Sequence, residues 1–197
     1  MMVKICGITN ADDALAAAAA GATALGFNFY PPSPRFIQPE AAARIIEGLP
    51  REVWKVGVFV DMLPHEIARV QRIAALDVAQ LHGDEPPDQL PSGIRVWKAF
   101  RIDAAGLEAY RAEAFLLDAP SDVYGGTGRT FDWTKAVGTG RKIILAGGLD
   151  EDNVGAAIRQ VRPWGVDACS RLESAPGRKD HARMARFVQA ASSENCE

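Results

Sequence analysis

The stretch Val3–Phe29, VKICGITNADDALAAAAAGATALGFNF, contains a complete strand–helix–strand unit and sets the pattern for the rest of the chain. Val3–Cys6 and Ala24–Phe29 are short apolar runs of the kind that form buried strands. Between them, Asn10 precedes an alanine-rich segment and Gly21 follows it. An asparagine before the first turn and a glycine after the last are common helix end signals. The stretch therefore predicts two parallel strands joined by a helix.

The same alternation continues along the chain and predicts further strands and helices. The other strands are expected at Trp54–Val60, Val78–His82, Arg95–Ala99, Ala114–Asp118, Lys142–Ala146 and Gly165–Ser170. The other helices are expected at Pro39–Ile46, Pro64–Ala75, Asp150–Val161 and Lys179–Ala191. The connections after strands four, five and six have weak helical patterns and are expected to be short, at Pro86–Leu90, Asp103–Arg111 and Asp132–Val137.

Two folds accommodate this alternation, an open doubly wound sheet and a closed (β/α)8 barrel. Eight strands in this chain leave about 25 residues per unit, which suits a minimal barrel. No Gly-x-Gly-x-x-Gly motif follows the first strand, which argues against a dinucleotide-binding open sheet. No long Gly/Ser-rich or charged linker divides the chain. We therefore predict an α/β protein, a single compact (β/α)8 TIM barrel over residues 1–197 with short or missing helices after strands 4–6.

Composition and charge exclude several classes of function. Lys and Arg total 22 against 25 Asp and Glu, a net charge of −3 with no basic cluster, so we expect no nucleic-acid partner. No apolar run approaches the ~20 residues of a membrane span, and the N-terminus lacks a leader pattern. Cys6, Cys169 and Cys196 are widely spaced, which supports neither a disulfide framework nor a zinc site. We expect a cytoplasmic protein, without metal, cofactor or membrane partner, and by default a monomer.

Two residues at strand ends are candidates for catalysis, because barrel chemistry occurs at the carboxyl ends of the strands. Cys6 ends the first strand, with Lys4 on the same interior face. Cys6 is either a buried apolar thiol or a base or nucleophile poised by positive charge, and the neighbouring lysine favours the second role. Asp118 ends the apolar run of the sixth strand. It either begins a turn or acts as an acid in a partly desolvated pocket.

Other strand-end positions are candidates for binding. Arg35 follows a proline-rich loop that fixes its direction, and it is either a surface arginine or a fork for a carboxylate. Gly147 and Gly148 follow the seventh strand and Ser170 ends the eighth, where barrels commonly bind phosphate through backbone N–H groups. Gly125–Gly128 predicts a mobile loop able to cover a ligand.

A histidine also ends a strand, but metal binding is not indicated. His82 ends the fourth strand, whereas His65 and His181 fall on predicted helices, so the three do not form a ligand cluster. A lone histidine at a strand end is more often structural than catalytic. From the residues alone we expect acid–base chemistry on a small phosphorylated substrate, and the reaction is left open.

The chain also resembles the phosphoribosylanthranilate isomerase family of tryptophan biosynthesis, on motifs that occur in order from residue 4 to residue 180. The matching segments are Lys4–Thr9, Gly26–Arg35, Val56–Val60, Gln80–Glu85, Leu117–Asp118, Gly125–Gly128, Phe131–Trp133, Leu145–Leu149, Asn153–Val154 and Ala175–Asp180. The resemblance implies a compact (β/α)8 barrel. It also implies a cofactor-free Amadori rearrangement of N-(5'-phosphoribosyl)anthranilate, an aminoaldose, to the aminoketose, in the third step of L-tryptophan biosynthesis from chorismate.

The resemblance further implies roles for individual residues. Asp118 is implied to be the general acid that protonates the ribose ring oxygen, and Cys6 the general base that removes the C2' proton. Arg35 is implied to hold the anthranilate carboxylate, and Gly147, Gly148 and the loop after Ser170 the phosphate. The substrate-binding residues assigned to this chain are Arg35, His82, Gly147, Gly148, Ser170 and Arg171.

The eighth strand departs from the family pattern. Asp167–Glu173 reads DACSRLE, whereas the family usually has DVSSGVE. Arg171 replaces a glycine in the expected phosphate loop, where it either adds charge or turns outward, and a positive φ would be unfavourable for it. Cys169 replaces a serine and is given no catalytic role. Because the first and eighth strands are neighbours in a closed barrel, we predict an ion pair between Lys4 and Asp167 beneath the site.

Other functions remain compatible with the barrel. An indole-glycerol-phosphate synthase would need a lysine and a glutamate at strand ends, and a ribulose-phosphate epimerase would need a metal site with several histidines; neither pattern is evident. A catalytically silent ligand-binding barrel is favoured if Arg171 blocks the phosphate site.

Overall fold

Eight parallel strands form a closed barrel in the computed structural model, which describes residues 1–101, 106–118 and 140–194. The strands are β1 Met2–Ile5, β2 Ala24–Asn28, β3 Trp54–Phe59, β4 Val78–Leu81, β5 Arg95–Arg101, β6 Ala114–Asp118, β7 Ile143–Leu145 and β8 Gly165–Ala168. Each strand pairs with the next, and β8 pairs with β1. The predicted (β/α)8 barrel is confirmed, and the open sheet is excluded.

Five α-helices occur in the described ranges, and their ends follow local chemistry. They are α1 Ala11–Ala19, α2 Pro39–Ile46, α3 Pro64–Ala74, α4 Val154–Val161 and α5 His181–Ser193. The Asn10 side chain accepts a hydrogen bond from the backbone N–H of Asp13 at the start of α1, as its position before the helix predicts. The predicted start of α4 at Asp150 is wrong, because the Asp150 carboxylate accepts hydrogen bonds from the backbone N–H groups of residues 152 and 153 and forms a turn instead.

The connections after the fourth and fifth strands are short, as predicted. Pro87–Gln89 and Leu107–Ala109 form one-turn 3-10 helices there. Aromatic side chains pack beside this part of the wall: the ring of Phe100 lies 5.1 Å from that of Tyr110 and 6.0 Å from that of Phe115. The prediction for the connection after the sixth strand, at Asp132–Val137, lies outside the described residues, as do Gly125–Gly128, Phe131–Trp133 and Cys196.

A two-stranded hairpin after the barrel was not predicted. Glu173–Ala175 (β9) pairs antiparallel with Arg178–Lys179 (β10), so α5 begins at His181 and not at Lys179. The turn contains Gly177 with a φ of 76°, a conformation that favours glycine. A Pro-Gly pair between two short segments was the available signal for this turn.

The interior of the barrel changes from apolar to polar along its axis, and this gradient places the site. At the amino end, the rings of Trp54, Trp97 and Trp164 contact one another. Small and aliphatic residues such as Ala24 and Val56 belong to the same buried cluster. At the carboxyl end the interior residues are polar, among them Gln80 and Asp167. No helix in the described part of the chain has the length and apolar character needed to cross a membrane.

Candidate active site

All eight predicted site residues line one pocket at the carboxyl end of the barrel. They are Cys6, Arg35, His82, Asp118, Gly147, Gly148, Ser170 and Arg171. The same pocket is lined by Asn28, Tyr30, Ser33 and Gln80, which had no assigned role. Within the ranges that the structure describes, no group of His, Cys, Asp or Glu residues could hold a metal ion.

The predicted ion pair beneath the site is present. Lys4 Nζ lies 2.8 Å from Asp167 Oδ1, and the lysine side chain is fully buried. Burial alone would lower the pKa of Lys4, but the negative charges of Asp167 and Cys6 raise it, so the lysine is a fixed cation. Burial raises the pKa of Asp167 to about 7, against the attraction of Lys4. Asp167 therefore holds the Lys4 cation in place, and the positive charge of Lys4 acts on Cys6.

Cys6 has the properties of a thiolate base. A hydrogen bond with Cys169 lowers its pKa most, and the charges of Lys4 and Lys179 lower it further, which together outweigh burial. The same contact with Cys6, together with burial, raises the pKa of Cys169, which keeps its proton. Gly26 leaves the space for this arrangement, because a Cβ at that position would lie 2.7 Å from Cys6 Sγ. A thiolate at this place is able to abstract a proton from a bound substrate.

A second buried charge cluster fixes Arg35, and sequence reasoning missed two of its members. Glu173 Oε1 and Oε2 accept hydrogen bonds from Arg35 Nε and Nη2 at 2.9 and 2.7 Å. Lys179 Nζ donates to Glu173 Oε1 at 3.0 Å, and its side chain is completely buried. Burial would raise the pKa of Glu173, but these two cations lower it. The bidentate pair uses two of the five guanidinium N–H groups, so Arg35 is held rigidly at the pocket wall.

Three polar residues, Gln80, His82 and Asp118, form a chain of contacts on one side of the pocket. Gln80 Nε2 lies 3.3 Å from His82 Nδ1, and His82 Nε2 lies 3.5 Å from Asp118 Oδ2. With the Gln80 amide donating, Nδ1 is the acceptor and the ring proton sits on Nε2, facing Asp118; this tautomer is assigned from the hydrogen bond. The Gln80 Oε1 atom is buried and has no partner among the described residues. His82 is therefore well placed to orient Asp118.

The predicted phosphate side is built from two loops. Gly147 and Gly148 have φ angles of 82° and 66°, which favour glycine. The Asn153 side chain donates to the Gly148 carbonyl at 2.9 Å and fixes the loop. Ser170–Leu172 forms a 3-10 turn. Within the described residues Arg171 is not among those with positive φ, so the strain considered for it does not arise.

The Arg171 side chain lines the pocket and pairs with an acidic residue of the facing loop. Its Nη1 atom lies 3.7 Å from Asp150 Oδ2, and the side chain is 49% exposed. The sequence left two alternatives for Arg171, adding charge to the site or turning outward. The side chain does both in part, because it lines the pocket while about half of it faces solvent.

Fold and site together define a class, the (β/α)8-barrel enzymes that place acid–base residues at the carboxyl ends of their strands. The model of the family described as N-(5'phosphoribosyl)anthranilate (PRA) isomerase matches residues 3–190. This chain therefore belongs to the N-(5'-phosphoribosyl)anthranilate isomerase family.

Individual relatives agree with this assignment. The N-(5'-phosphoribosyl)anthranilate isomerase of Solibacter usitatus is 55% identical over 196 residues, covering 97% of both chains. That of Trichlorobacter lovleyi is 51% identical, covering 96% of this chain and 97% of its own. The crystal structure of phosphoribosyl anthranilate isomerase from Thermus thermophilus has a TM-score of 0.90 at 40% identity and covers 98% of this chain and 99% of its own.

A solved structure with a bound ligand is also similar to this chain. It is a phosphoribosyl anthranilate isomerase in complex with reduced 1-(o-carboxyphenylamino)-1-deoxyribulose 5-phosphate, with a TM-score of 0.84 and 38% identity. The match covers 98% of this chain and 99% of the other. That ligand, by its name, carries both a carboxylate and a phosphate.

Proposed function

We propose that this chain isomerises N-(5'-phosphoribosyl)anthranilate to the corresponding aminoketose by an Amadori rearrangement, the third step of L-tryptophan biosynthesis from chorismate. One observation carries the proposal: Cys6, whose pKa is lowered, and Asp118 line the same pocket. The chain that holds them belongs to this family. The reaction moves protons and electrons within one molecule. A thiolate base and a carboxylic acid are sufficient to catalyse such a reaction.

Asp118 acts first, as the general acid. It donates a proton to the ribose ring oxygen while the anilino nitrogen pushes its lone pair toward C1', and the C1'–O bond breaks. The product is an open-chain iminium, and Asp118 is left as a carboxylate. His82, at 3.5 Å from Asp118 Oδ2, holds the acid in place and stabilises that carboxylate.

Cys6 then acts as the general base. Its thiolate removes the proton on C2', and the electrons of the C2'–H bond flow into the iminium, giving an enolamine. The iminium is an electron sink, which makes this C–H bond acidic enough for a thiolate. The enolamine tautomerises to the ketone, so that product and substrate contain the same atoms.

The two ends of the substrate are bound by two different groups of pocket residues. Arg35 contacts the anthranilate carboxylate with the guanidinium edge that Glu173 leaves available. The backbone N–H groups around Gly147, Gly148 and Ser170 bind the phosphate, and Arg171 adds a positive charge beside them. These contacts place C1' and C2' between Asp118 and Cys6.

The anthranilate fluorophore gives a direct test. Phosphoribosylanthranilate is expected to lose its emission when the protein is added, and Cys6→Ala and Asp118→Asn are each expected to slow this loss by at least ~10²-fold. Circular dichroism and thermal unfolding of each variant establish that it is folded. A near-wild-type rate in a folded variant would remove that residue from the mechanism, and growth rescue of a tryptophan auxotroph lacking this isomerase provides an independent readout.

We also propose that the chain is a cytoplasmic monomer. Within the described residues, the large hydrophobic side chains that are exposed are Leu15 and Leu63, which lie on different elements. The free thiols of Cys6 and Cys169 support a reducing compartment. Sedimentation equilibrium measures the mass directly, and a mass of two chains would overturn the monomer.

A further inference from the structure

We propose that Cys6 and Cys169 form a site of reversible thiol oxidation, at which a peroxide converts the two thiols to a disulfide. The bond would block the proposed general base and would be released by a dithiol reductant. The consequence for turnover rests on the proposed function, whereas the bond itself does not.

The strand register places the two cysteines next to each other. In the β1–β8 ladder Ile5 pairs with Ala168, and the backbone N–H of Cys6 donates to the Ala168 carbonyl at 2.9 Å. The cysteines are the first residues after β1 and β8. Neighbouring strands lie ~4.8 Å apart, inside the Cα separation of ~4.4–6.8 Å that a disulfide spans.

The side chains of both cysteines point to the same side of the sheet. Lys4 and Asp167 lie two positions earlier on the same strands, and their charged atoms are 2.8 Å apart inside the barrel. Cys6 and Cys169 follow two positions later, both line the pocket, and their side chains are hydrogen-bonded to each other. Gly7 leaves room for the sulfur of Cys169, since a Cβ at Gly7 would lie 2.9 Å from it.

The charges around Cys6 and Cys169 indicate which cysteine is oxidised first and which one then forms the disulfide. Lys4 lies beneath Cys6, and Lys179 Nζ lies 3.8 Å from Cys169 Sγ, so two buried cations face the sulfurs. Cys6 is the thiolate and therefore the atom that a peroxide oxidises, while Cys169 keeps a proton and is the resolving thiol. Both sulfurs line an open pocket that a peroxide can enter when substrate is absent.

The reaction balances with peroxide as the only oxidant. The Cys6 thiolate attacks one peroxide oxygen, the O–O bond breaks, and a sulfenic acid forms on Cys6; the hydroxide that leaves takes up the proton that the Cys6 thiol released to solvent on ionising. The Cys169 sulfur then attacks the Cys6 sulfur, the S–O bond breaks, and the departing hydroxide takes the Cys169 proton. Two thiols are oxidised to one disulfide, and one peroxide is reduced to two waters.

Peptide mass spectrometry tests the bond without reference to activity. Trypsin places the three cysteines in three different peptides, Ile5–Arg35, Gln160–Arg171 and Phe187–Glu197. After exposure to hydrogen peroxide and blocking of free thiols, we expect the first two peptides to be joined, with the loss of two hydrogens, and separated again by dithiothreitol. Absence of this cross-link in a sample whose Cys6 is oxidised would overturn the proposal.

Three variants test whether the disulfide makes the loss of activity after peroxide treatment reversible. The activity of each variant after treatment is compared with its own rate before treatment. In Cys169→Ser, Cys6 has no resolving thiol and proceeds to sulfinic acid, so we expect dithiothreitol to restore at least ~5-fold less activity than in the parent. Cys196→Ser is the matched control and is expected to recover like the parent, and Cys6→Ser is expected to form no cross-link. Full recovery of Cys169→Ser would overturn the proposal.

The result also separates this inference from the proposed function. Untreated protein that is folded but does not isomerise phosphoribosylanthranilate would count against the function and leave the cross-link measurable. A fully active protein that forms no cross-link would count against this inference alone. Bound product analogue is expected to slow cross-linking, because it covers the pocket that both sulfurs line.

Discussion

At the scale of single residues, a kinetic experiment separates the positioning of Asp118 by His82 from substrate binding. The sequence assigns it to substrate binding, whereas the structure places its Nε2 atom 3.5 Å from Asp118 Oδ2. If His82 positions the acid, His82→Ala lowers kcat by about 10-fold with little change in KM, as expected for an interaction made in the transition state. His82→Gln keeps an N–H donor and is expected to recover part of the loss. A raised KM with unchanged kcat would establish the binding role instead.

Lys179 controls the proton affinity of Cys6 from a distance. Its charge is one of the causes that lower the pKa of the Cys6 thiol, after Cys169 and Lys4. Lys179→Met removes that charge while Glu173 keeps its pairing with Arg35, so the pKa of Cys6 rises. The acid limb of the plot of kcat/KM against pH is expected to move to higher pH. Lys179→Arg keeps the charge and is the control, and an unchanged profile in Lys179→Met would refute the role.

The sequence allowed prediction of the residues that line the pocket but not of those that support them. Cys6, Asp118 and Gly147 were found because they interrupt apolar patterns at the ends of strands, where chemistry in this fold occurs. Glu173 and Lys179 belong to a hairpin that pairs outside the barrel, and nothing in strand alternation indicates that their side chains meet Arg35. Gln80 lies inside β4, and its contact with His82 Nδ1 becomes evident only in the folded barrel.

At the scale of elements, the end of α3 is under local strain. Ala75 follows the helix with a φ of 52° and a ψ of 49°, a left-handed conformation that costs a residue with a Cβ ~1–2 kcal/mol. Ala75→Gly removes this cost but adds entropy to the unfolded chain, so we expect a net gain of about 0.5 kcal/mol in the free energy of unfolding. Urea denaturation measures it. Ala74→Gly, one residue earlier and buried inside the helix, is expected to destabilise by about 1 kcal/mol or more.

Local sequence signals predict the positions of most strands and helices. Where predicted and observed bounds differ, the cause is also local. Strand and helix centres were predictable because apolar runs and capping residues alternate regularly. The start of α4 was not, since Asp150 competes with the helix for backbone N–H groups. The hairpin β9–β10 was missed because strands of two or three residues carry almost no periodicity.

At the scale of the whole molecule, the Lys4–Asp167 pair joins the first strand to the last. Lys4→Met leaves the Asp167 carboxylate buried without its cation and is expected to lower the free energy of unfolding by ~3 kcal/mol at neutral pH. Lys4→Met combined with Asp167→Leu replaces both charges by apolar groups and is expected to recover most of it. Urea unfolding followed by tryptophan fluorescence measures both. Equal losses in the single and double variants would mean that the pair is not coupled.

The pH dependence of the same site has a defined sign. The pKa of Asp167 in the folded protein is about 7, above that of an unfolded aspartate, so the folded state binds more protons between ~pH 4 and pH 7. The corresponding stability is fully present below this window and is lost as pH rises through it. The Lys4→Met loss is therefore expected to be smaller at ~pH 5, where the buried carboxyl is protonated, than at ~pH 8.

Closure of the barrel by residues 163 positions apart also has a consequence for biosynthesis. A nascent chain exposes Lys4 long before Asp167 and the eighth strand, 163 positions later, are made. Until then β1 has one unpaired edge, and the Lys4 cation lacks its Asp167 counter-ion in a barrel wall still open to water. Because burial of an unpaired charge is costly, the hydrated Lys4 side chain stays in water at this stage. This favours completion of the barrel wall before water is excluded from the interior. The ring can close only when the ribosome has released the eighth strand.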